Sequence, residues 1–260
     1  MEGIIELSVV QVALAYIFVC FVLIIVKIRN INREKEIIIS SIRMTIQLIL
    51  TGHILLFVFN NPSPYITIAI IILMEIFAIY TVLKKFRSKT SVELKKVIGF
   101  SMSIGTITCI LYFLLIVVRI PNWYDPRYFI PIAGMLIGNS MTGITLGINS
   151  LLEGMTTEKA IIEEALTLGA TPKVASKKVI NKAFDSAIIP TINSMIGMGI
   201  IFLPGMMTGQ ILAGADPTIA IAYQIAIMLG ILGSVSLTVI IMLILSYRTF
   251  FNEQSQLMGR

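Results

Sequence analysis

Two charged residues, Arg43 and Glu75, stand inside long apolar runs, where a charge is costly. At a helical rise of about 1.5 Å per residue, Arg43 lies ~9 Å and Glu75 ~12 Å from the more basic ends of their runs. The two side chains therefore meet if these runs form neighbouring helices. Such a pair is either a buried ion pair that fixes helix register or a carboxylate on a substrate route that Arg43 tunes. Gln47 follows Arg43 by one helical turn and extends the same polar face.

Further candidates for a substrate route lie where methionines and amides interrupt two later apolar runs. Thioethers offer soft ligands to a metal, and amides inside a span favour helix contacts or a pore face. Methionine at helical spacing is also a common packing residue, so both interpretations stay open. A break at Pro204 in "LPGMMTGQ" predicts either a gate that lines the route or a plain helix end. The candidates are Met135, Asn139, Met141, Asn193, Met206, Met207 and Gln210.

An intramembrane protease is the enzyme hypothesis to be considered for this chain. The residue types of the chain argue against it. The H-E-x-x-H zinc pattern needs two histidines, whereas His53 is the only histidine of the chain. A serine protease needs a base beside its nucleophile, and His53 is predicted to lie in a different span from Ser140. The pattern G-x-x-x-x-G-K-S/T, which cradles ATP phosphates, is also missing. We therefore expect a chain that is not an enzyme and binds no cofactor itself, while its metal ligands stay unknown.

The composition shows that these residues are positioned by helices that cross a lipid bilayer. Hydrophobic residues make up 57% of the 260 residues and charged residues 13%, against about 45–50% and about 25% in soluble domains. The apolar runs predict an all-α polytopic membrane protein, a single transmembrane domain over residues 1–260, with about seven spans of ~20 residues. The predicted spans are 6–26, 37–59, 65–83, 97–118, 127–149, 184–212 and 217–247.

Three of these spans begin with the same start signal, a capping side chain followed by proline at the first helical position. We expect the loops before these spans to share one face of the membrane. The signals are Ser63-Pro64, Asp125-Pro126 and Asp216-Pro217.

The charges of the loops alternate along the chain. Four basic residues lie within 27–35, six within 84–96 and five within 159–182, whereas the alternate loops hold Arg119 and Arg127. By the positive-inside rule, the basic loops are cytoplasmic, the N-terminus lies outside and the C-terminus lies in the cytoplasm. The net charge of +6 is therefore read as a topology signal and predicts no nucleic-acid partner.

Glycines in the fifth and sixth predicted spans recur at a spacing of four residues. This G-x-x-x-G spacing places small residues on one helix face and lets two helix backbones approach closely. We expect these residues to serve helix packing. The pairs are Gly134 and Gly138, Gly143 and Gly147, and Gly205 and Gly209.

One stretch, "TTEKAIIEEALTLGATPKVASKK" at 156–178, is charged and amphipathic, within a predicted cytoplasmic segment of about 153–183. Ile161, Ala165 and Leu168 fall on one face of a short helix, which Gly169 is expected to end. Thr171 is then a candidate cap for a second helix that leads to the sixth span. The resulting helix hairpin is an interfacial helix on lipid headgroups, an ordinary loop or a docking site for a partner.

The residues "EEALTLGATPKVA" resemble the cytoplasmic loop of ABC transporter membrane subunits, which inserts a short coupling helix into a cleft of the ATP-binding subunit. The matching positions are Glu164, Ala165 and Gly169, with Leu166 in place of the second alanine of the motif. The resemblance implies an ATPase-coupling segment made of Glu163, Glu164, Ala165, Leu168, Gly169, Ala170 and Thr171.

Three more stretches are similar to the FetB family of permeases: "SSIRMTIQLILTG" at 40–52, "PRYFIPIAGMLIGNSM" at 126–141 and "LPGMMTGQILAGADPTIAIAYQI" at 203–225. Bacterial members of this family are linked to iron export with a separate ATPase, FetA, and plant relatives to aluminium tolerance. The resemblance implies the permease subunit of an ABC-type exporter of iron or another metal in the cell membrane. It implies two permease copies with two FetA-like subunits, which bind ATP and Mg²⁺. The alternative is a secondary transporter or channel that uses Glu75 for ion or proton coupling and needs no ATPase.

Overall fold

The structure is a computed structural model that describes residues 7–87, 90–120 and 122–258. These residues form α-helices and short helical extensions, with two isolated bridges and no strand among them, which confirms the all-α prediction. Helix α4 continues as a π-helix, Phe113–Val118, and α10 as a short 3-10 helix, Tyr247–Phe250. The α-helices are α1 Val9–Ile28, α2 Glu34–Asn60, α3 Pro64–Lys85, α4 Val92–Tyr112, α5 Pro126–Thr157, α6 Lys159–Thr167, α7 Pro172–Ala175, α8 Lys177–Gly197, α9 Gly205–Leu212 and α10 Pro217–Ser246.

The three predicted start signals are confirmed, since α3, α5 and α10 each begin at the proline. Asp125 accepts a hydrogen bond from the amide of Arg127 at 3.0 Å, and Asp216 accepts one from the amide of Thr218 at 2.7 Å. Hydrogen bonds from the hydroxyl and amide of Thr218 hold the pKa of Asp216, which lies outside the spans, below its usual value. Ser63 occupies the same position before α3, but its side chain makes no capping hydrogen bond to the described residues.

Six helices of the described chain are long and apolar enough to cross a membrane. They are α1, α2, α3, α4 with its π-helical extension, α5, and α10 with its 3-10 extension. The predicted sixth span, 184–212, is instead divided between α8 and α9, which are separated by a turn after Gly197. Four charged residues lie in the first half of α8, at Lys177, Lys178, Lys182 and Asp185. The count of seven spans therefore stays a prediction.

The chain divides into two compact units, Met1–Asn61 and Pro62–Arg260. In the first unit α1 packs against α2, and the hydroxyl groups of Tyr16 and Thr45 share a hydrogen bond across the two helices. Among the described residues of this unit, only Val26 and Val58 are buried. The outer faces of this hairpin are apolar and exposed, as expected of helices that face lipid or other protein.

The second unit holds the hydrophobic core, which is centred on α5 and α10. Helix α5 packs against α3, α4, α8 and α10, and α10 also packs against α4, α8 and α9. Glycines allow the closest crossings. A Cβ atom on Gly105 of α4 would lie 2.4 Å from Oγ1 of Thr238 in α10, and one on Gly154 of α5 would lie 2.6 Å from Cγ1 of Val179 in α8.

The predicted glycine pairs differ in their surroundings. Gly143 and Gly147 of α5 both face α10, where added Cβ atoms would lie 2.7 Å from Val235 and 3.2 Å from Met242. Gly134 faces α3, with Met74 at 3.0 Å from an added Cβ. Among the described residues, no heavy atom within 4 Å would meet a Cβ added at Gly138, Gly205 or Gly209. For these three glycines, a role in helix packing stays a prediction.

Candidate functional site

Glu75 lies near the middle of α3 and is 7% exposed. It lies eleven positions after Pro64, the first residue of the helix, which places it ~16 Å along α3. Its Oε2 atom lies 3.0 Å from Oγ1 of Thr106 in α4, whose one hydroxyl proton is shared between this oxygen and the carbonyl oxygen of Met102 at 2.7 Å. Its Oε1 atom is buried without a hydrogen-bond partner among the described residues. The α3–α4 contact therefore gives one carboxylate oxygen a donor and leaves the other without a partner in the described chain.

Glu75 lines a groove of about 340 Å³ between α3 and α4, which Phe129 of α5 also lines. Nine of the eleven lining residues are apolar, and the two polar ones are Glu75 and Ser103. On α3, Ile68, Ile72 and Ile79 fall at helical spacing around Glu75, so one face of the helix carries all four side chains. We call this feature the α3–α4 groove. Its walls are apolar and its one ionisable side chain is a carboxylate.

Arg43 and Gln47 line a shallow groove of about 350 Å³ on α2, together with Ile39, Ile42 and Ile46. The spacing of Arg43 and Gln47 places both on one face of this helix, as predicted. Arg43 belongs to the first unit and Glu75 to the second. Their pairing stays a prediction.

Ser140, the serine considered above as a nucleophile, is fully buried in α5. Its hydroxyl shares a hydrogen bond of 2.8 Å with the hydroxyl of Ser234 in α10. Hydrogen bonds between polar side chains contribute ~0.6 kcal/mol on average to helix association in membranes. The position of Ser140 thus indicates a helix contact and not an exposed nucleophile.

The candidate amides and thioethers of α5 and α8 are spread over several environments. Asn139 is exposed and its Nδ2 donates to the carbonyl oxygen of Met135 in the same helix at 2.7 Å, while Asn193 of α8 is exposed. Met135 and Met141 are half-buried and pack against the core. In the part of the chain that the structure describes, no group of three or more His, Cys, Asp or Glu residues is placed to hold a metal ion.

The break between α8 and α9 is a closed turn. Gly199 adopts a φ of 81°, which favours glycine, and its amide donates to the carbonyl oxygen of Phe202 at 3.0 Å. Helix α9 then begins at Gly205 after Pro204, at the predicted interruption. Whether this turn acts as a gate stays a prediction.

The sequence reasoning missed one polar residue beside this turn, Gln224 of α10. Its Nε2 atom donates to Sδ of Met198 at 3.8 Å, and its Oε1 atom is buried without a partner in the described chain. Oε1 of Gln210 in α9 is buried in the same way, while Met206 and Met207 of α9 are half-buried and buried. A single glutamine in the apolar run "IAYQIAIM" was the available signal. Intramembrane polar residues of this kind are the usual markers of a helix contact or a substrate route.

The predicted cytoplasmic helix hairpin is confirmed as local structure. Helix α6 ends in a Schellman motif, in which the amide of Ala170 donates to the carbonyl of Ala165 at 2.9 Å and that of Gly169 to Leu166 at 3.0 Å. Gly169 has a φ of 90°, a conformation that suits glycine. Thr171 precedes α7 as predicted, but its side chain forms no capping hydrogen bond with the described residues.

The structure shows which face of α6 packs inward. Ile162 is 1% exposed, whereas Ile161 and Leu168 of the predicted apolar face are 56% and 83% exposed. Glu163 and Glu164 are also exposed. The predicted apolar face is therefore an outward surface and not the buried one, because the contact with the rest of the unit falls on Ile162.

Two further contacts hold the hairpin in place. Lys178 of α8 binds both carboxylate oxygens of Glu158 at 3.0 Å, which ties the start of α8 to the junction of α5 and α6. Helix α6 packs against α5 and α7, and α7 packs against α8. Glu163, Glu164 and Leu168 thus lie on an exposed hairpin that connects two core helices. We call this feature the α6–α7 hairpin.

Comparison with protein families gives one match over most of the chain. Residues 9–251 match the family described as "Uncharacterised protein family (UPF0014)". No solved structure gives a significant match.

Three curated proteins are similar to nearly the whole chain. "UPF0014 membrane protein YjkA" of Bacillus subtilis is 34% identical over 247 residues, which cover 95% of this chain and 97% of that protein. "Probable iron export permease protein FetB" of Escherichia coli is 34% identical over 247 residues, covering 95% and 93%. "Protein ALUMINUM SENSITIVE 3" of Arabidopsis thaliana is 34% identical over 249 residues, covering 95% and 89%.

Proposed function

The chain belongs to the UPF0014 family of membrane proteins, as its resemblance to FetB predicted, and we propose that it is the permease subunit of an ABC-type metal exporter. Family membership and the apolar helices make it a multi-pass membrane protein of the permease type. The cargo we propose is iron or another metal, because the similar Escherichia coli protein is named as a probable iron exporter. The name of the similar Arabidopsis protein refers to aluminium.

The observation that supports an ATPase partner most strongly is the exposed α6–α7 hairpin. It presents the apolar side chain of Leu168 one helical turn after the exposed carboxylate of Glu164, while the carboxylate of Glu163 lies 3.6 Å from Nζ of Lys159. An apolar centre with a polar rim is the usual composition of a protein interface. An interfacial lipid anchor usually surrounds its apolar face with basic residues, whereas α6 carries two glutamates and one lysine, Lys159. In our proposal, a FetA-like ATPase receives this hairpin and binds the ATP and Mg²⁺.

The hairpin is also connected to the helices that would have to move. It links the end of α5 to the start of α8, and both of these helices pack against α10 in the core. Closure of two ATPase subunits on ATP would shift the α6–α7 hairpin and, through α5 and α8, change the exposure of a transport route. Asn139 and Asn193 lie on these two helices and are candidates for that route.

We further propose seven crossings, with the N-terminus outside and the C-terminus in the cytoplasm of a cell whose plasma membrane holds the permease. Helix α8, with 21 residues, would be the remaining crossing, since it is ~32 Å long. The charged residues in its first half suit the cytoplasmic headgroup region. Two permease copies would assemble with two ATPase chains.

The test is co-purification with a candidate FetA-like ATPase. Wild type, Glu164→Arg and Leu168→Arg would be expressed with the ATPase, purified in detergent and assayed for bound ATPase and ATP hydrolysis. We expect both variants to lose the partner, because each places a cation on the exposed surface of the α6–α7 hairpin. The matched control is Glu93→Arg, a charge reversal at an exposed site in the first turn of α4.

Retention of the ATPase by wild type and by Glu93→Arg, with loss in the two hairpin variants, supports the coupling site. Wild type that holds no ATPase, or hairpin variants with normal binding and hydrolysis, would overturn it. In the supported case, proteoliposomes of the complex should show ATP-dependent movement of iron.

The buried carboxylate of Glu75 favours a second candidate, a secondary transporter coupled to ions or protons. Such a transporter works without an ATPase. Proteoliposomes that contain the permease alone would then move substrate under a pH gradient, and Glu75→Gln would abolish that movement. The exporter proposal expects no transport from the permease alone.

A further inference from the structure

We propose that the α3–α4 groove around Glu75 is a binding site for a lipophilic organic cation, such as a quaternary ammonium or phosphonium with apolar substituents. The inference concerns a ligand class that neither the metal cargo nor the ATPase partner implies. It rests on the geometry of one carboxylate and on the chemistry of the walls around it.

One carboxylate oxygen of Glu75 has no hydrogen-bond partner among the described residues. Oε2 has the hydroxyl of Thr106 at 3.0 Å, whereas Oε1 is buried with no hydrogen-bond partner in the described chain. A buried carboxyl group keeps its negative charge only when that charge is paired or its oxygens are hydrogen-bonded. The Glu75 side chain also lines a cavity of about 340 Å³, so there is room for a positively charged group beside this carboxylate.

The walls of the α3–α4 groove are mostly apolar. A hard metal ion such as Mg²⁺ or Ca²⁺ takes about six or more oxygen ligands. Besides Glu75, only Ser103 offers a side-chain oxygen among the eleven residues that line the α3–α4 groove. The other nine side chains are apolar, seven of them isoleucines. Such walls suit the alkyl or aryl groups of an organic cation and not a hydrated metal ion.

The α3–α4 groove has the size and the access that a small organic ligand requires. Small-molecule sites of proteins have volumes of roughly 300–1,000 Å³, are mostly apolar and contain a few placed polar groups. The α3–α4 groove falls at the lower end of that range and contains one carboxylate. Ile72 and Ile107 on its rim are 53% and 48% exposed, so a lipophilic ligand can enter from the side of the helices.

The test measures binding of tetraphenylphosphonium to the purified full-length chain in nanodiscs, with empty nanodiscs to subtract partition into lipid. Tetraphenylborate, which has nearly the same shape and the opposite charge, is the matched probe. The variants are Glu75→Gln, which removes the charge with little change in shape, and Ile107→Trp, which fills the cavity and keeps the carboxylate. Glu93→Gln, at an exposed site outside the α3–α4 groove, is the control.

We expect saturable tetraphenylphosphonium binding to wild type and to Glu93→Gln, and a loss of at least about tenfold in affinity in Glu75→Gln and in Ile107→Trp. Tetraphenylborate should show no saturable binding. The proposal is overturned if wild type does not bind tetraphenylphosphonium, if Glu75→Gln binds it equally, or if tetraphenylborate binds as well. Because the assay contains neither ATPase nor iron, its failure leaves the exporter proposal standing, and failure of the ATPase test leaves this proposal standing.

Discussion

Thr106 connects α4 to the carboxylate of Glu75, and this single contact makes a testable prediction at the scale of one residue. Thr106→Val removes the hydroxyl and keeps the shape of the side chain, so that Oε2 loses its donor at 3.0 Å. Interhelical hydrogen bonds of this kind contribute ~0.6 kcal/mol on average and up to ~1.7 kcal/mol in membranes. We expect a lower thermal midpoint in detergent, by about 2–4 °C for each kcal/mol lost.

The control is Thr145→Val, since the hydroxyl of Thr145 bonds to the carbonyl oxygen of Met141 within its own helix at 2.7 Å. This substitution removes a hydroxyl from a helix without breaking a contact between helices. Equal midpoints for Thr106→Val and Thr145→Val would show that the bond to Glu75 contributes nothing to the packing of α3 against α4.

Helices α4 and α10 pack closely against each other, and this contact leads to the second prediction. The backbones of these helices approach so closely at Gly105 that an added Cβ would lie 2.8 Å from Cα of Thr238. Backbone atoms cannot avoid the added Cβ by a change of rotamer, as a flexible side chain can. The two helices would therefore have to move apart. Gly105→Ala should therefore destabilise the protein by about 1–3 kcal/mol, the usual cost of overpacking a core. Thermal unfolding in detergent measures the loss.

Gly99→Ala is the matched control on the same helix, because its Cβ would meet only an ordinary contact, 3.7 Å from Ile79. Gly99→Ala lowers the conformational entropy of the unfolded chain. It should therefore stabilise the folded protein slightly, by up to about 1 kcal/mol. A Gly105→Ala protein that is as stable as Gly99→Ala would contradict the close crossing of α4 and α10.

Topology supplies the prediction at the scale of the whole molecule. An odd number of crossings puts the two ends of the chain on opposite sides of the membrane, and an even number puts them on the same side. Single cysteines at Leu7 and Ser255, in a background with Cys20 and Cys109 replaced, would be treated with an impermeant maleimide on intact cells. We expect Leu7→Cys to react at once and Ser255→Cys only after permeabilisation. Reaction of both in intact cells would refute seven crossings.

Local signals in the sequence predicted the features that depend on neighbours in the chain. Proline after a capping residue correctly placed the starts of α3, α5 and α10, and Gly169 correctly placed the end of α6. These features follow from backbone geometry within a few residues, so periodicity and turn chemistry were sufficient. The interruption at Pro204 belongs to the same class.

Contacts between distant segments were beyond such signals. The spacing of apolar residues in α6 did not predict which face packs inward, because both faces carry apolar residues. The structure buries Ile162 and leaves Ile161 and Leu168 exposed. Gln224 was missed because its place beside Met198 depends on the turn between α8 and α9.

The sequence by itself determined an all-α membrane protein, the starts of α3, α5 and α10, the amphipathic hairpin and the family of the chain, because hydropathy, capping and motif residues are properties of adjacent positions. Only the tertiary structure decided that Thr106 binds Glu75, that Gly105 meets Thr238, and that nine apolar side chains line a groove with one carboxylate. Those arrangements join residues of different helices, and the choice among many possible helix pairings is made by packing.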